Sequence, residues 1–422
     1  MNDATSPLQI RDFRLYWLSR FSSVLGTVGM VVILGYQLYD VARSQYGMSI
    51  SEAAFQLGLL GLAQFVPLAL FTPVAGVVAD RFDRRTVARL ANALDLVIAL
   101  TLAVVTYSGA ANLPVLFGLA AAHGTARVFI GPALSAVVPN IVPAPLIPRA
   151  MAMSAMSWQA GAIGGPALAG LLYGIDRSLP YWTATALLAI SVTALSAIRR
   201  LPPPEGNRDE HPLRQIVEGF RYVFRERFLL GCVTLDLFAV LLAGATALLP
   251  VFARDLLHVG PQGLGIMRAA PAVGAVFVSI YLSARPIAEN VGAKMLWAVV
   301  VFGMATIGFG LSRNFGVSLA MLALLGAADM ISVYIRTTLI QLNTPDAKRG
   351  RVSAISGLAI SASNELGEMQ SGIAAALLGA TGAVVFGGAG AIVVTALWAW
   401  IFPELRKART FASQYREKEN AT

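Results

Sequence analysis

Nine ionisable residues interrupt segments of this sequence that are otherwise apolar. A charge in hydrocarbon costs at least about 2.5–3.5 kcal/mol, so such residues are retained mainly where they face a cavity or a partner. A carboxylate that gains or loses an arginine neighbour can change its protonation, which is the chemistry of a proton carrier. The nine are Arg20, Asp95, Arg127, Asp236, Arg268, Asp329, Arg336, Glu365 and Glu368.

The spacing of these residues favours one carboxylate. Asp329 lies 202 positions after Arg127, an offset that recurs elsewhere in the chain, and seven positions before Arg336, on the same helix face. Glu365 and Glu368 are three apart, and two neighbouring carboxylates disfavour double ionisation. We therefore expect Asp329, with Glu365 or Glu368, to carry the proton. The alternative is a structural Asp–Arg pair.

The remaining charges suit other roles. Asp236 is a further proton-coupling candidate, although Asp236 and Arg20 lie near the ends of their segments and suit a gate equally well. Asp95 is interpreted as structural. We expect substrate-cavity residues among Arg20, Arg127, Arg336 and His123, although a lone buried histidine is more often a packing residue.

Composition defines the elements that hold these residues. Hydrophobic residues make up 56% of the 422 positions and charged residues 13%, against roughly 25% charged in soluble proteins. Apolar blocks of about 20 residues cross a bilayer, and lipid forces them to be helices. The sequence predicts an all-α membrane protein of about twelve spans. They are residues 13–40, 53–79, 86–108, 113–139, 148–174, 180–198, 228–253, 262–284, 292–312, 315–341, 351–378 and 381–402.

The chain divides into two related halves. We expect six-helix bundles at 1–198 and 228–402, a cytoplasmic linker at 199–227 and a cytoplasmic tail at 403–422. Leu57-Gly58 recurs as Leu264-Gly265, 207 positions later. The linker contains an amphipathic pattern predicted to lie along the membrane surface. Its apolar positions are Leu213, Ile216, Val217, Phe220 and Phe224.

The basic residues set the topology. Most of the 32 Lys and Arg residues fall in segments that are inside if both termini are cytoplasmic, as expected for a multi-pass protein of the inner (cytoplasmic) membrane. The net charge of +9 therefore indicates topology, and no nucleic-acid partner is expected. The single cysteine excludes an internal disulfide, the scattered histidines show no metal-ligand spacing, and no phosphate-binding loop is present. We expect no metal and no cofactor.

The loop after the second span carries a motif. Gly76, Asp80, Arg81, Arg84 and Arg85 fit the pattern G-x-x-x-D-[RK]-x-G-[RK]-[RK], except that Asp83 replaces the second glycine. This resembles motif A of the major facilitator superfamily, which implies a cytoplasmic latch in which Asp80 meets a helix N-terminus. The alternative is that the arginines only anchor the topology.

A second motif lies in the fifth span, at Gly161, Gly165, Pro166 and Gly170. It resembles motif C, which is associated with exporters of that superfamily, although generic small-residue packing is the alternative. Residues 11–17, 130–133, 147–150, 164–172, 249–255 and 344–354 resemble the drug:proton antiporter branch, which includes the enterobactin exporter and the macrolide and tetracycline efflux pumps.

The resemblance implies two pseudo-symmetric bundles with spans 1, 4, 7 and 10 lining a central cavity, where five of the nine charges lie. It implies a monomeric secondary transporter working by alternating access. The expected function is proton-coupled export (antiport) of an amphipathic small molecule such as a drug or siderophore. The alternatives are a metal-ion exporter, a lipid flippase or, of another class, a membrane-embedded enzyme, for which no catalytic constellation is visible.

Overall fold

The computed structural model describes residues 6–201 and 212–411. All of the secondary-structure elements in those ranges are helices. Parts of the predicted linker (202–211) and tail (412–422) lie outside the described residues. The first half contains α1 Arg11–Ser44, α2 Ile50–Arg81, α3 Arg84–Tyr107, α4 Leu113–Ile141, α5 Ile147–Ile175 and α6 Leu179–Ala197. The rest contains α7 Pro212–Arg225, α8 Arg227–Leu242, α9 Gly260–Ala284, α10 Val291–Leu311, α11 Phe315–Leu342, α12 Asp346–Ile401 and α13 Pro403–Lys407.

These helices fit the twelve predicted spans. Ten described helical runs are long and apolar enough to cross a membrane, among them the run Arg351–Ile401, which covers the last two predicted spans. Gly379, at φ 72° and ψ 165°, breaks that run where the sequence predicted the boundary between spans. Asparagine side chains cap the N-termini of two spans. Asn112 accepts a hydrogen bond from the Val115 amide, and Asn314 accepts one from the Val317 amide, both at 3.1 Å.

The seventh predicted span is not one continuous helix. It ends as α8 at Leu242 and resumes as three short helical turns, Ala245–Leu248, Leu249–Val251 and Phe252–Leu256. Gly244 lies at the interruption, where a Cβ atom would be 2.6 Å from the carbonyl oxygen of Gly367 on α12. The close approach of α12 thus coincides with the break in the span.

The chain separates into two compact units. One comprises Met1–Met48, Leu62–Arg208 and His258–Ala269, and the other Ser49–Gly61, Asp209–Leu257 and Ala270–Thr422. The predicted domain boundaries at 198, 227 and 402 stay predictions.

Each unit has its own apolar core. In the first, α1 packs against α5 and α6 around Phe13 and Tyr16, both fully buried. In the second, α8 packs against α12 around Leu229 and the single cysteine, Cys232, which is also fully buried. The buried thiol therefore lies in a core of aliphatic and aromatic side chains.

Candidate functional site

An ion pair crosses between two helices of the second unit. Asp236 on α8 and Arg336 on α11 are joined through Oδ1 and Nη1, and both residues are buried. Removing one partner would leave an uncompensated buried charge, so each charge holds the other in place. The Asp236 carboxylate is therefore already paired with an arginine on a neighbouring helix.

Asp329 lies two turns before Arg336 on α11. It is half-buried and interacts electrostatically with both Asp236 and Arg336. Among the described residues, no hydrogen bond or ion pair engages its carboxylate. Asp329 is thus a carboxylate beside, but outside, the Asp236–Arg336 pair.

The two glutamates of α12 flank its crossing with the broken span. Glu365 is buried and Glu368 half-buried, and Gly367 between them approaches Gly244. Glu368 also packs on α2, because a Cβ atom at Gly61 would lie 2.8 Å from the Glu368 Cβ. Interrupted helices mark ligand sites in many transporters.

A second buried pair lies in the first unit. His123 Nδ1 on α4 and Asp95 Oδ1 on α3 are 2.8 Å apart, with the two residues 2% and 0% exposed. The other carboxylate oxygen, Oδ2, is buried with no hydrogen-bond partner among the described residues. One turn earlier on α3, Asn92 accepts a 2.7 Å hydrogen bond from Ser23. His123 therefore contacts a carboxylate in a polar layer formed by α1, α3 and α4.

The remaining intramembrane arginines differ in exposure. Arg20 is half-buried and donates through Nη1 to the Tyr16 hydroxyl at 3.4 Å, while that hydroxyl lies 2.8 Å from the Ser154 Oγ. Arg127 is exposed near the middle of α4, and Arg268 is half-buried on α9. Arg127 and Asp329 belong to different units, and their opposition across a cavity stays a prediction.

Asp83 builds the loop of motif A. Its Oδ1 accepts from the Arg85 amide at 3.0 Å, its Oδ2 accepts from the Thr86 hydroxyl at 3.0 Å, and it thereby caps α3. An N-cap with negative φ, −55°, thus stands where the motif usually has glycine.

The arginines of motif A are held differently. Arg85 is buried and donates to the carbonyl of Ile198, next to the end of α6, while Arg84 is half-buried. Gly76, Asp80 and Arg81 lie on α2, but their surroundings fall outside the described part of the structure. The latch between Asp80 and a helix N-terminus therefore stays a prediction.

The glycines of motif C bring α5 against two helices. A Cβ atom at Gly165 would lie 2.7 Å from the Leu25 carbonyl oxygen, and one at Gly161 would lie 2.9 Å from a methyl carbon of Val24, both on α1. A Cβ atom at Gly170 would lie 2.5 Å from the carbonyl oxygen of Pro261 on α9. Pro166, inside α5, removes one helix hydrogen bond at the point between these contacts.

Two partnerships were not predicted from the sequence. The Asp95–His123 pair and the Asp236–Arg336 pair each join residues on different helices. Spacing along the sequence related only Asp329 and Arg336, which lie on one helix. The signal that could have found them is the presence of an aspartate in span 3 and a histidine in span 4, and of opposite charges in spans 7 and 10. In the described residues, no three His, Cys, Asp or Glu side chains form a group able to hold a metal ion.

The long apolar helices are those of a multi-pass membrane protein. The sequence profile of the family described as "Transmembrane secretion effector" matches residues 2–420, and the chain belongs to this family of the major facilitator superfamily. It is a transporter rather than an enzyme.

Curated relatives match over nearly the whole chain. The chain is 29% identical to the enterobactin exporter EntS of Citrobacter koseri over 409 residues, covering 94% of this chain and 93% of the relative. It is 28% identical to the protein of the same name from Escherichia coli O1:K1, with the same coverage.

Solved structures share the fold. A POT family transporter in complex with 5-aminolevulinic acid gives a TM-score of 0.73 at 13% identity, covering 94% of this chain and 97% of that one. The nucleoside transporter NupG (D323A mutant) gives 0.68 at 13% identity, covering 93% and 100%. The predicted major facilitator fold is confirmed.

Proposed function

We propose that this transporter exports an amphipathic small molecule of the siderophore type across the cytoplasmic membrane in exchange for protons. The observation that carries the proposal is the whole-length similarity to proteins named enterobactin exporters. The glycine face of motif C, which the resemblance associates with export, supports the direction. The distribution of basic residues supports cytoplasmic termini, and we expect a monomer working by alternating access.

Asp329 is the carboxylate that we propose as the proton carrier. Asp236 is paired with Arg336, and Asp95 with His123, so both have fixed partners in the buried interior. Asp329 is half-buried, has no such partner among the described residues, and lies within electrostatic reach of Arg336. A shift of Arg336 toward Asp329 would favour the carboxylate, and a shift away would favour the protonated acid. Glu365 and Glu368 are the second candidates, beside the broken span.

Arg127 is the residue that we propose for substrate contact. Its side chain is exposed near the middle of an apolar helix, and a charge on the lipid side would be costly, which supports a position facing a water-filled cavity. A cation there suits the acidic or polar groups of a siderophore. Arg20, beside Tyr16, is a further cavity candidate, whereas Arg336 and His123 act through their buried carboxylate partners.

The test is substrate flux in proteoliposomes under an imposed pH gradient. With labelled enterobactin as the probe, we expect wild-type protein to accumulate it only when a gradient is present. Asp329→Asn should abolish gradient-driven accumulation and retain exchange of labelled for unlabelled substrate, because exchange needs no proton release. Glu289→Gln, which removes an exposed loop carboxylate, is the matched control and should behave as wild type.

The outcomes separate the alternatives. Gradient-driven flux that is unchanged in Asp329→Asn would remove this residue as the carrier, and flux indifferent to the gradient would remove proton coupling. Transport of a divalent cation or of a fluorescent phospholipid, with none of enterobactin, would favour a metal exporter or a lipid flippase instead.

A further inference from the structure

A pocket lined mainly by charged residues lies between α7, the linker helix, and the beginning of α12. Its cavity volume is about 240 Å³. Residues of both α7 and α12 line it, chiefly Glu218, Arg221, Tyr222, Arg225, Lys348 and Arg351. We call this the linker pocket. The transport mechanism proposed above uses none of these residues.

The linker pocket carries a surplus of positive charge. Four cations line it against one carboxylate, Glu218, which accepts a 2.7 Å bond from Arg351 Nη1. Lys348 Nζ lies 4.2 Å from the centre of the Tyr222 ring, a cation–π contact that holds the ammonium at the pocket. Arg221 and Arg225 are exposed and form no ion pair with any described residue. Two arginines one helical turn apart, beside a lysine, suit the oxygens of a phosphate group.

An aromatic ridge runs beside the two arginines. Phe220 and Phe224 stack at 6.3 Å between ring centres and are 36% and 64% exposed. In a helix these positions lie about 100° around the axis from Arg221 and Arg225. Exposed aromatic rings next to exposed arginines are typical of a helix at the membrane interface, with the rings at the acyl boundary and the cations at the headgroups.

We infer that the linker pocket binds the phosphate group of an anionic phospholipid, with its acyl chains against Phe220 and Phe224. Basic pockets on the cytoplasmic side of membrane proteins hold such headgroups, and the basic residues place this end of the helices on that side. The bound phosphate bridges α7 to α12, so it ties the linker to the eleventh span. A free phosphate ion could contact the same cations, but it has no acyl chains to pack against Phe220 and Phe224.

The experiment measures the thermal stability of the purified full chain in neutral detergent against the concentration of added dioleoylphosphatidylglycerol. Dioleoylphosphatidylcholine and inorganic phosphate are the other two probes. We expect the anionic lipid to stabilise the protein at lower concentrations than phosphatidylcholine does. The double variant Arg221→Gln, Arg225→Gln should need at least about tenfold more anionic lipid for the same stabilisation. The reason is that each cation near the membrane surface contributes appreciably to the binding of an anionic lipid.

Matched variants separate specific binding from bulk charge. Arg406→Gln with Lys407→Gln removes two exposed cations of α13 outside the pocket and should leave the response unchanged. Arg221→Lys with Arg225→Lys should retain binding. Phe220→Ala with Phe224→Ala should weaken the lipid response and spare any response to phosphate.

The results decide the proposal in either direction. Stabilisation by inorganic phosphate equal to that by the lipid would support the phosphate site and overturn its lipid source. An unchanged lipid response in the Arg221→Gln, Arg225→Gln variant would overturn the site, and so would an equal loss in the α13 control. Enterobactin flux is a separate readout, so failure here leaves the proposed transport function standing.

Discussion

Buried carboxylates in this chain differ in what surrounds them. The sequence located all of the intramembrane charges, because any acidic or basic residue within an apolar block is conspicuous. It did not reveal that Asp95 contacts His123 or that Asp236 contacts Arg336, because both partnerships depend on how neighbouring helices align. Spacing along one helix determines which side chains share a face, and the register between helices determines which side chains meet.

The Asp95–His123 pair gives a prediction for stability. His123→Ala leaves the Asp95 carboxylate buried without its partner, so we expect a loss of about 1–3 kcal/mol in the free energy of unfolding. Asp95→Ala should cost a similar amount. The double variant should cost clearly less than the two single losses together, because each single change strands the other group. Unfolding midpoints in mixed detergent measure this, and strictly additive losses would contradict the pairing.

The Asp236–Arg336 pair gives a second prediction at this scale. Arg336→Gln removes the cation from both Asp236 and Asp329, so it should lower stability and also impair gradient-driven flux. Arg313→Gln is the control, because Arg313 is a cation of the second unit that donates to the carbonyls of Gly310 and Ser312 and to the hydroxyl of Thr381. Normal enterobactin accumulation by Arg336→Gln in proteoliposomes would exclude the pair from coupling.

At the scale of helices, the sequence was informative about where spans begin and end. The length of an apolar run is a local property of the sequence, so the predicted spans fit the observed helices. The break after α8 could not be predicted, since Gly244 lies among apolar residues and the interruption coincides with the crossing of Gly367 on a distant helix. A tertiary contact of this kind leaves no local pattern.

Close helix packing predicts the effect of a single methyl group. Gly165→Ala would bring a Cβ atom within 2.7 Å of the Leu25 carbonyl oxygen, so α5 and α1 must move apart, at a cost of about 1–3 kcal/mol. Gly118→Ala on α4 is the control, because no described heavy atom lies within 4 Å of its new methyl group. Thermal unfolding in detergent compares the two. Equal midpoints would mean that the α1–α5 contact tolerates separation.

The turn between the last two spans depends on backbone conformation instead of packing. Gly379 combines φ 72° with ψ 165°, a region essentially restricted to glycine, while no described atom obstructs a Cβ there. Gly379→Ala should therefore destabilise by about 1–3 kcal/mol through strain alone. Gly357→Ala, unobstructed and helical on the same α12, should be neutral or slightly stabilising. A neutral Gly379→Ala variant in the same melting assay would contradict the strain.

At the scale of the molecule, the internal sequence repeat is accompanied by repeated details of local structure. Asn112 and Asn314 are 202 positions apart and cap equivalent helices with the same 3.1 Å hydrogen bond. Gly170 approaches Gly265 in the first unit, and Gly372 approaches Gly58 in the second, so the same kind of glycine crossing occurs twice. The sequence revealed the repeat through Leu57-Gly58 and Leu264-Gly265, but not which helices those glycines would contact.

Topology gives a prediction for the intact protein in cells. Ala110→Cys places a thiol in the exposed loop between α3 and α4, and Ala288→Cys places one in the exposed loop between α9 and α10. The distribution of basic residues predicts that a membrane-impermeant maleimide labels the first in whole cells and the second only after permeabilisation. The opposite pattern would invert the proposed orientation.

The fully buried position of Cys232 has a practical consequence for such work. A thiol packed among aliphatic side chains is sheltered from aqueous reagents, so the native chain presents no competing reactive group on its surface. Spin labels or fluorophores can then be attached in pairs, one in each unit, without first removing the natural cysteine. Distances measured between such labels, with and without a pH gradient, would follow the transport cycle in an otherwise unaltered protein.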